Sequence, residues 1–510
     1  MKKSFLALLL GLSMLLAPLV SCGNDEKPTP GGNNTGENTT EAPTEEQTEY
    51  TNDRDDLPED LDLGGKTFTI FSIAQWAAGG EFDQDSELIE GDVIKQAVFD
   101  RNALLKERLH CTIKNVESLG DTNTDEMLTK VQMMNLMGTA EYQLLVTAGY
   151  RMCPLAQQGL LADLAQLTSI DLNKDYYSQG YNTALSIGNA QYLATGTFTM
   201  GYYRYMMVNL FNKKLFRAHG IDEPYDLVRN QEWTYEKMNE IVSQLYYDTD
   251  GNSQKDKDDT YGYVIMTGNN GSFTDAFMSA CDLHMISKDD DNYYTVNINS
   301  ERYSDAVDEV LELLFGQGTL SGENLNAEDV YDKFGNSTAA MITTRLYGVE
   351  DKRVVDLGNT DGYGILPIPK MNLDQADYIS YVQDQCFLFG IPGMLGGNSL
   401  TQVSQLFEAF ASESYRIVKP AYYEKALTSR YVYDPDSVEM LDLIGSHVYV
   451  DPVNVYLMPN VINTASFRKI YATGQNTVTS MLASVATNEQ LKQAVGDMND
   501  AFRALKKTGN

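Results

Sequence analysis

The chain of 510 residues carries 72 Asp and Glu against 38 Lys and Arg, a formal net charge of −34, with 43% hydrophobic residues, 14 prolines and 32 tyrosines. A chain this long outgrows a single hydrophobic core and implies about two to four compact units. Its charge repels phosphate backbones and anionic lipid, which argues against nucleic-acid binding and against a basic membrane-docking face.

The opening stretch, MKKSFLALLLGLSMLLAPLVSC, has two lysines, an apolar run of signal-peptide length and small residues before Cys22. It reads as an export signal over residues 1–21. Nothing after it approaches the ~20 apolar residues that cross a bilayer. The ending LVSC resembles the bacterial lipobox, in which the cysteine is acylated and becomes the new N-terminus. That resemblance implies a lipid on Cys22 and a place at the cell surface, anchored to the outer face of the cytoplasmic membrane. Residues 22–63 are rich in Asn, Thr, Glu, Pro and Gly and almost devoid of apolar side chains, so they read as a disordered tether.

Strand and helix signals then alternate. KTFTIFSI follows the Gly64-Gly65 turn with period-two patterning, and GDVIKQAVFDRNALLKERLHC sets Ile94, Val98, Leu104, Leu105 and Leu109 at near-helical spacing. TIKNV predicts a second strand, TDEMLTKVQMMNLMG a helix and YQLLVTAG a third strand. This βαβαβ opening predicts a mostly parallel sheet covered by helices, with ligand groups at the carboxyl ends of its strands. A second run passes through YMMVNLFNKKLFRAHG, TYEKMNEIVSQLYY, YGYVIM, AVDEVLELLFGQG and AAMITTRLYG, implying a second α/β unit.

Between the second helix of that run and YGYVIM lies DTDGNSQKDKDD, residues 248–259. Asp248, Asp250 and Asn252 occupy positions 1, 3 and 5 of a twelve-residue calcium loop, with the Gln254 carbonyl at 7, Asp256 at 9 and Asp259 at 12. Hard oxygens at this spacing surround one cation, so a structural calcium ion is expected, outside any solute cleft. Ser253 stands where the turn glycine is usual, with Gly251 nearby, and Asp259 is shorter than the usual Glu. A solvated acidic loop is the competing reading.

Cys111, Cys153, Cys281 and Cys386 lie far apart without metal-ligand spacing, and leave two disulfides or buried free thiols open. His110, His219, His284 and His447 are equally scattered, which argues against a zinc site. Tyrosine offers a flat apolar face with a hydroxyl at its rim, suited to a neutral polar ligand such as a sugar.

Several segments in order resemble the extracellular solute-binding proteins of ABC importers, in particular the carbohydrate-binding group related to maltose-binding protein. They are YQLLVTAG with LAQQGLLADL, VNLFNKKLFRAHGID with WTYEKMNEIVSQL, AAMITTRLYG, YGILPIPK and LMPNVINTASF. The resemblance implies a two-lobed periplasmic-binding-protein-like (Venus-flytrap) α/β fold with discontinuous lobes, here set at 64–205 with 380–428 and at 206–379 with 429–510. It implies a monomer that captures a sugar or oligosaccharide between its lobes and hands it to permease subunits without changing a bond.

Cleft residues are then expected at strand ends and crossings: Gln75, Trp76, Thr147, Tyr150, Arg151, Tyr202, Tyr203, Arg204, Arg345, Tyr347, Gln383, Asp384, Tyr456 and Asn460. Trp233 is expected to pack at a helix start. The alternatives are a binding protein for a peptide or other non-sugar solute, and a surface-anchored glycosidase with two carboxylates facing across a sugar.

Overall fold

The computed structural model describes residues 54–74, 80–82, 92–118, 126–268, 271–360, 362–427, 434–456 and 461–508. Gln75, Trp76, Asn460 and Cys22 lie outside the described residues.

The first sheet grows from β1 (Thr67–Ser72), α1 (Val93–Leu109), β2 (Thr112–Glu117), α2 (Glu126–Met137) and β3 (Leu144–Ala148). Asp92 caps α1 by accepting the Lys95 amide at 3.1 Å, satisfying a donor that the first helical turn leaves unpaired. His110 ends that helix in a left-handed conformation, and its carbonyl accepts the Gly65 amide at 2.7 Å, joining the helix end to the turn before β1. Ile94, Val98, Leu105 and Leu109 are buried on one face of α1, while Leu104 is half-buried at its margin. β1 pairs in parallel with β2 on one side and β3 on the other.

α3 (Gly149–Gln157) and α4 (Gln179–Leu185) follow. The second sheet is then built from β4 (Met207–Asn212), β5 (Tyr261–Met266), β8 (Thr319–Gly322), β9 (Ala339–Arg345) and β10 (Tyr363–Leu366), in the order β10-β4-β9-β5-β8. Helices α5 (Lys213–His219), α6 (Tyr235–Gln244), α7 (Ser300–Leu314) and α8 (Ala327–Gly335) connect its strands, and a hairpin of β6 (Ile286–Lys288) and β7 (Tyr294–Val296) precedes α7. Tyr303, Ala306, Val307, Val310, Leu311 and Leu314 recur at three- and four-residue steps and are the buried face of α7. Trp233 sits just before the α6 cap Thr234, fully buried, with its indole N–H donating to the Pro367 carbonyl at 3.0 Å.

The chain returns through β11 (Ser380–Tyr381) to β12 (Phe387–Gly390), which completes a first sheet of order β12-β3-β1-β2. α9 (Gly397–Glu413), α10 (Pro435–Ser446), β13 (Val448–Tyr449) and α11 (Val485–Thr508) follow. The result is a two-lobed α/β fold whose lobes are each assembled from separate stretches of chain.

The βαβαβ opening is parallel as expected, and among the described residues four of the seven strand pairings in the two sheets are parallel, while the other three are antiparallel. β12 is antiparallel to β3, and β4 is antiparallel to both β9 and β10. A strand that enters a lobe directly from a crossing starts at the cleft side, whereas strands built within the lobe end there, so the two kinds run in opposite directions. The range 429–510 also divides its packing, since Phe502 of α11 contacts Tyr192 of the first stretch and Tyr456 contacts Phe502 in turn.

All four described cysteines are free and buried, so the disulfide alternative is not realised. Burial pushes the Cys111 thiol up to about 11 and the Cys386 thiol up to about 12, which keeps both in the unreactive protonated form. Among the described residues no helix is long and apolar enough to cross a membrane.

Candidate functional site

Three short segments run side by side where the chain passes between the sheets. Met206 bridges Val382 in antiparallel fashion, the Gln383 amide donates to the Tyr205 carbonyl at 3.0 Å, and β11 pairs in parallel with β13. β9 is buried along its length until Arg345, which lies opposite Met207 at the start of β4. The register therefore delivers the Arg345 guanidinium to the crossing. Its Nε donates to Gln383 Oε1, one terminal nitrogen to the Tyr347 hydroxyl at 2.7 Å and the other to Ser272 Oγ at 3.2 Å. The rings of Phe273 and Tyr347 lie 5.7 and 5.6 Å from the guanidinium carbon.

Asp384 follows Gln383 and is half-buried. Burial and the neighbouring Asp275 carboxylate push its pKa up to about 6, against the pull of Arg345 and Arg468. Asp275 is itself buried and held by Arg468, whose Nε donates to Oδ1 at 2.7 Å. The start of α3 packs against this segment through Gly149, whose amide donates to the Cys386 carbonyl at 3.0 Å and continues the β3–β12 ladder. A Cβ at Gly149 would stand 3.1 Å from the Asp384 carbonyl and 3.2 Å from Val455 Cγ1, so the start of α3 approaches as closely as it does because residue 149 has no side chain.

Of the sequence-expected residues, Arg345, Tyr347, Gln383 and Asp384 come together here, with Arg204 at their edge, where it pairs with Glu350 at 3.4 Å and lies over the Tyr347 ring. Thr147 is buried in β3 opposite Leu388, and Tyr150 and Arg151 are half-buried in the first turn of α3. Three tyrosines are packing residues instead. Tyr202 is fully buried with its hydroxyl on Ser178 Oγ at 2.8 Å, Tyr203 packs between Tyr422 and Tyr423 with its hydroxyl on the Thr197 carbonyl, and Tyr456 donates to the Leu185 carbonyl at 3.2 Å. Rings enclosed by other rings, with hydroxyls already bonded to protein, offer a solute no face. Ser272, Phe273, Asp275 and Arg468 were not anticipated. The first three follow the carboxyl end of β5 in GNNGSFTD, a glycine-rich strand end that could have flagged them, whereas Arg468 has no local signal.

The acidic loop is closed by a bridge in which Tyr247 and Thr260 exchange amide-to-carbonyl bonds at 2.9 and 3.0 Å. Inside it, carboxylate oxygens of Asp248, Asp250 and Asp259 all lie within 4.8 Å of one another, so the group could hold a metal ion. Ser253 adopts the left-handed conformation itself (φ 59°), as does Gly251 (φ 70°). Position 6 therefore makes the expected turn without glycine. Asn252 is beside the cluster, its amide donating to Asp256 Oδ2 at 3.0 Å, and the Gln254 amide donates to Asn252 Oδ1 at 2.6 Å. Lys333 of α8 reaches the Asp259 carbonyl at 3.1 Å, and Tyr261 of β5 reaches the Asp256 carbonyl at 2.6 Å, so the loop is tied to the second sheet.

No protein-family model matches the chain, and no curated protein matches its sequence. Solved structures do match its fold. A sugar transporter from Rhizobium etli in an open conformation is 13% identical, with 86% of this chain and 99% of that one covered and a TM-score of 0.53. A cyclo/maltodextrin-binding protein complexed with maltotetraose is 14% identical, with 87% and 97% covered and a TM-score of 0.50. These likenesses place the chain in the two-lobed binding-protein fold.

Proposed function

We propose that the chain is the substrate-binding component of an ABC importer, capturing a sugar or oligosaccharide between its lobes. The observation that carries this reading is the convergence of Arg345, Tyr347, Gln383 and Asp384 at the crossing segments, where side chains from both lobes reach one place. A guanidinium and a carboxylate with aromatic rings beside them provide donors, acceptors and stacking faces for hydroxylated rings. Hinge closure over the solute would exclude water and present a closed surface to a permease. Two solved structures of this fold are described as a sugar transporter and a maltodextrin-binding protein, which supports a carbohydrate as the solute.

Thermal-shift screening against sugars, oligosaccharides, polyols and peptides tests the solute class, because a ligand of the folded state raises the melting temperature by mass action. Carbohydrate hits weakened by Arg345→Met support the reading; hits confined to peptides, or new reducing ends released from oligosaccharides, overturn it. Trp233 is sealed in the second lobe, so a solute-dependent fluorescence change lost in Trp76→Phe would assign Trp76 to the cleft. A lipid on Cys22 anchors the protein at the cell surface, and Cys22→Ala releases it into the medium; retention on the cells argues against the anchor. The cation of the acidic loop is calcium, held by Asp248, Asp250, Asn252, Gln254, Asp256 and Asp259 in a structural role.

A further inference from the structure

A cavity of about 540 Å³ opens where α4, the β6–β7 hairpin and β13 meet. Thr183 of α4, His284, Ile286, Lys288, Tyr294 and Tyr449 line it, and Arg345, Gln383 and Asp384 do not, so it is separate from the site described above. The hairpin is strapped to the end of α4 by its own side chains. Lys288 Nζ donates to the Thr183 carbonyl and, at 2.6 Å, to Ser186 Oγ, while the Tyr294 hydroxyl donates to the Ala184 carbonyl at 2.5 Å.

Lys288 is the unusual group. Both of its acceptors are neutral, and an ammonium has three N–H donors, so one is left over. None of the ion pairs among the described residues involves Lys288, and no acidic residue lines the cavity. The nearby Asp282 is engaged elsewhere, with His284 Nε2 at 2.9 Å and with Arg302 at 3.7 Å. The Tyr294 ring, 5.5 Å from Nζ, offers the charge only a soft partner. Burial pushes the ammonium down to about 8, the mark of a cation short of counter-charge, in a chain whose net charge is −34.

We propose that this cavity binds a small organic carboxylate, with its charged group on the remaining N–H of Lys288 and a flat apolar body against Tyr294, Tyr449 and Pro452. The volume is that of a small-molecule pocket. Part of the wall is aromatic, with the His284 ring 4.0 Å from the Tyr449 ring and tilted 50° to it. A singly charged head suits the site better than a phosphate. The carbonyls ending α4 bring negative partial charge to the same corner, and a lone lysine does not balance two anionic charges.

Calorimetric titration of the full mature chain with benzoate, and with its neutral isostere benzamide, tests the site. Benzoate binds saturably, and benzamide about tenfold to a hundredfold more weakly, as loss of one charge-assisted hydrogen bond gives. Lys288→Met removes the preference for the anion, and Lys288→Arg keeps it. Thr183→Trp starts from an exposed position and leaves the backbone acceptor of Lys288 intact; it fills the cavity and abolishes binding of both probes. Equal binding of the two probes, benzoate binding that survives Thr183→Trp, or no benzoate binding at millimolar concentration each overturns the proposal.

Discussion

Arg345 at the end of β9 donates through Nε to the side-chain carbonyl of Gln383, tying the last residue of a second-lobe strand to the segment on which the chain re-enters the first lobe. Gln383 is buried, so deleting the guanidinium leaves an acceptor without water to replace the lost donor. Arg345→Met is expected to lower the unfolding free energy by roughly 2 kcal/mol, measured by urea denaturation. It should also weaken solute binding. Arg345→Lys, which keeps the charge but not the planar fork, should recover only part of either loss. An Arg345→Met protein with unchanged stability would show that these bonds carry no net weight.

Two carboxylates in the first lobe set a pH dependence. Glu81 and Glu408 are almost wholly enclosed, and burial pushes each up to about 7 from the ordinary 4.5. Opposing that rise are Arg101, Thr199 and the Met200 amide at Glu81, and Tyr176, Tyr177 and the Asp171 amide at Glu408. The folded state holds these protons more tightly than the unfolded chain does. Their contribution is therefore fully present below about pH 4.5 and is lost as pH rises through about 7. Melting temperature measured across that window should fall less steeply in Glu408→Gln than in the wild type. Parallel curves for the two proteins would rule Glu408 out as a source of the slope.

The reach of sequence reasoning follows from how local each signal is. β1, α1, β2, α2 and β3 were legible because Val98, Leu105 and Leu109 repeat at helical spacing between period-two strands. The sequence could place Arg345 and Gln383 at the crossing because it marks where β9 ends and where the chain passes back between the sheets. Tyr202 and Tyr203 looked equally suitable, since a tyrosine that stacks on a solute and one that stacks on Tyr422 have the same sequence surroundings. The Asp275–Arg468 pair was not legible at all. Its partners are 193 residues apart, and only the folded chain brings the two charges together.

Gly149 offers a test of the close approach between the start of α3 and the segment that carries Asp384. An added methyl would press on the Asp384 carbonyl and on Val455, one of them backbone and neither able to rotate away freely. Gly149→Ala is expected to cost about 1–3 kcal/mol of stability, as overpacking does elsewhere. Because the displaced carbonyl belongs to Asp384, solute affinity should fall as well. Calorimetry that finds affinity intact in a destabilised Gly149→Ala protein would separate Asp384 from recognition.

Ser253 makes the sharpest statement about the acidic loop. A serine at φ 59° carries the steric cost of a left-handed conformation, on the order of 1–2 kcal/mol, which glycine would avoid while adding a smaller entropic cost of its own. Ser253→Gly should therefore leave stability without cation nearly unchanged or slightly higher and should tighten calcium binding, because the amides turned toward Asp248 are then held in place with less strain. Those amides are Gly251 and Ser253, which donate to the two Asp248 oxygens at 2.8 and 2.9 Å. Calcium should raise the melting temperature of the wild type and EDTA should reverse the rise, as expected for a cation that binds the folded loop and not the unfolded chain. Asp250→Ala removes one of the three convergent carboxylates and should lose the response. Solute affinity should be the same in all three proteins, because the loop is fastened to α8 and β5 by Lys333 and Tyr261 and not to the crossing segments. If calorimetry detects no heat of calcium binding at millimolar concentration, the convergence of Asp248, Asp250 and Asp259 is a property of the loop's internal hydrogen bonding and not of a cation.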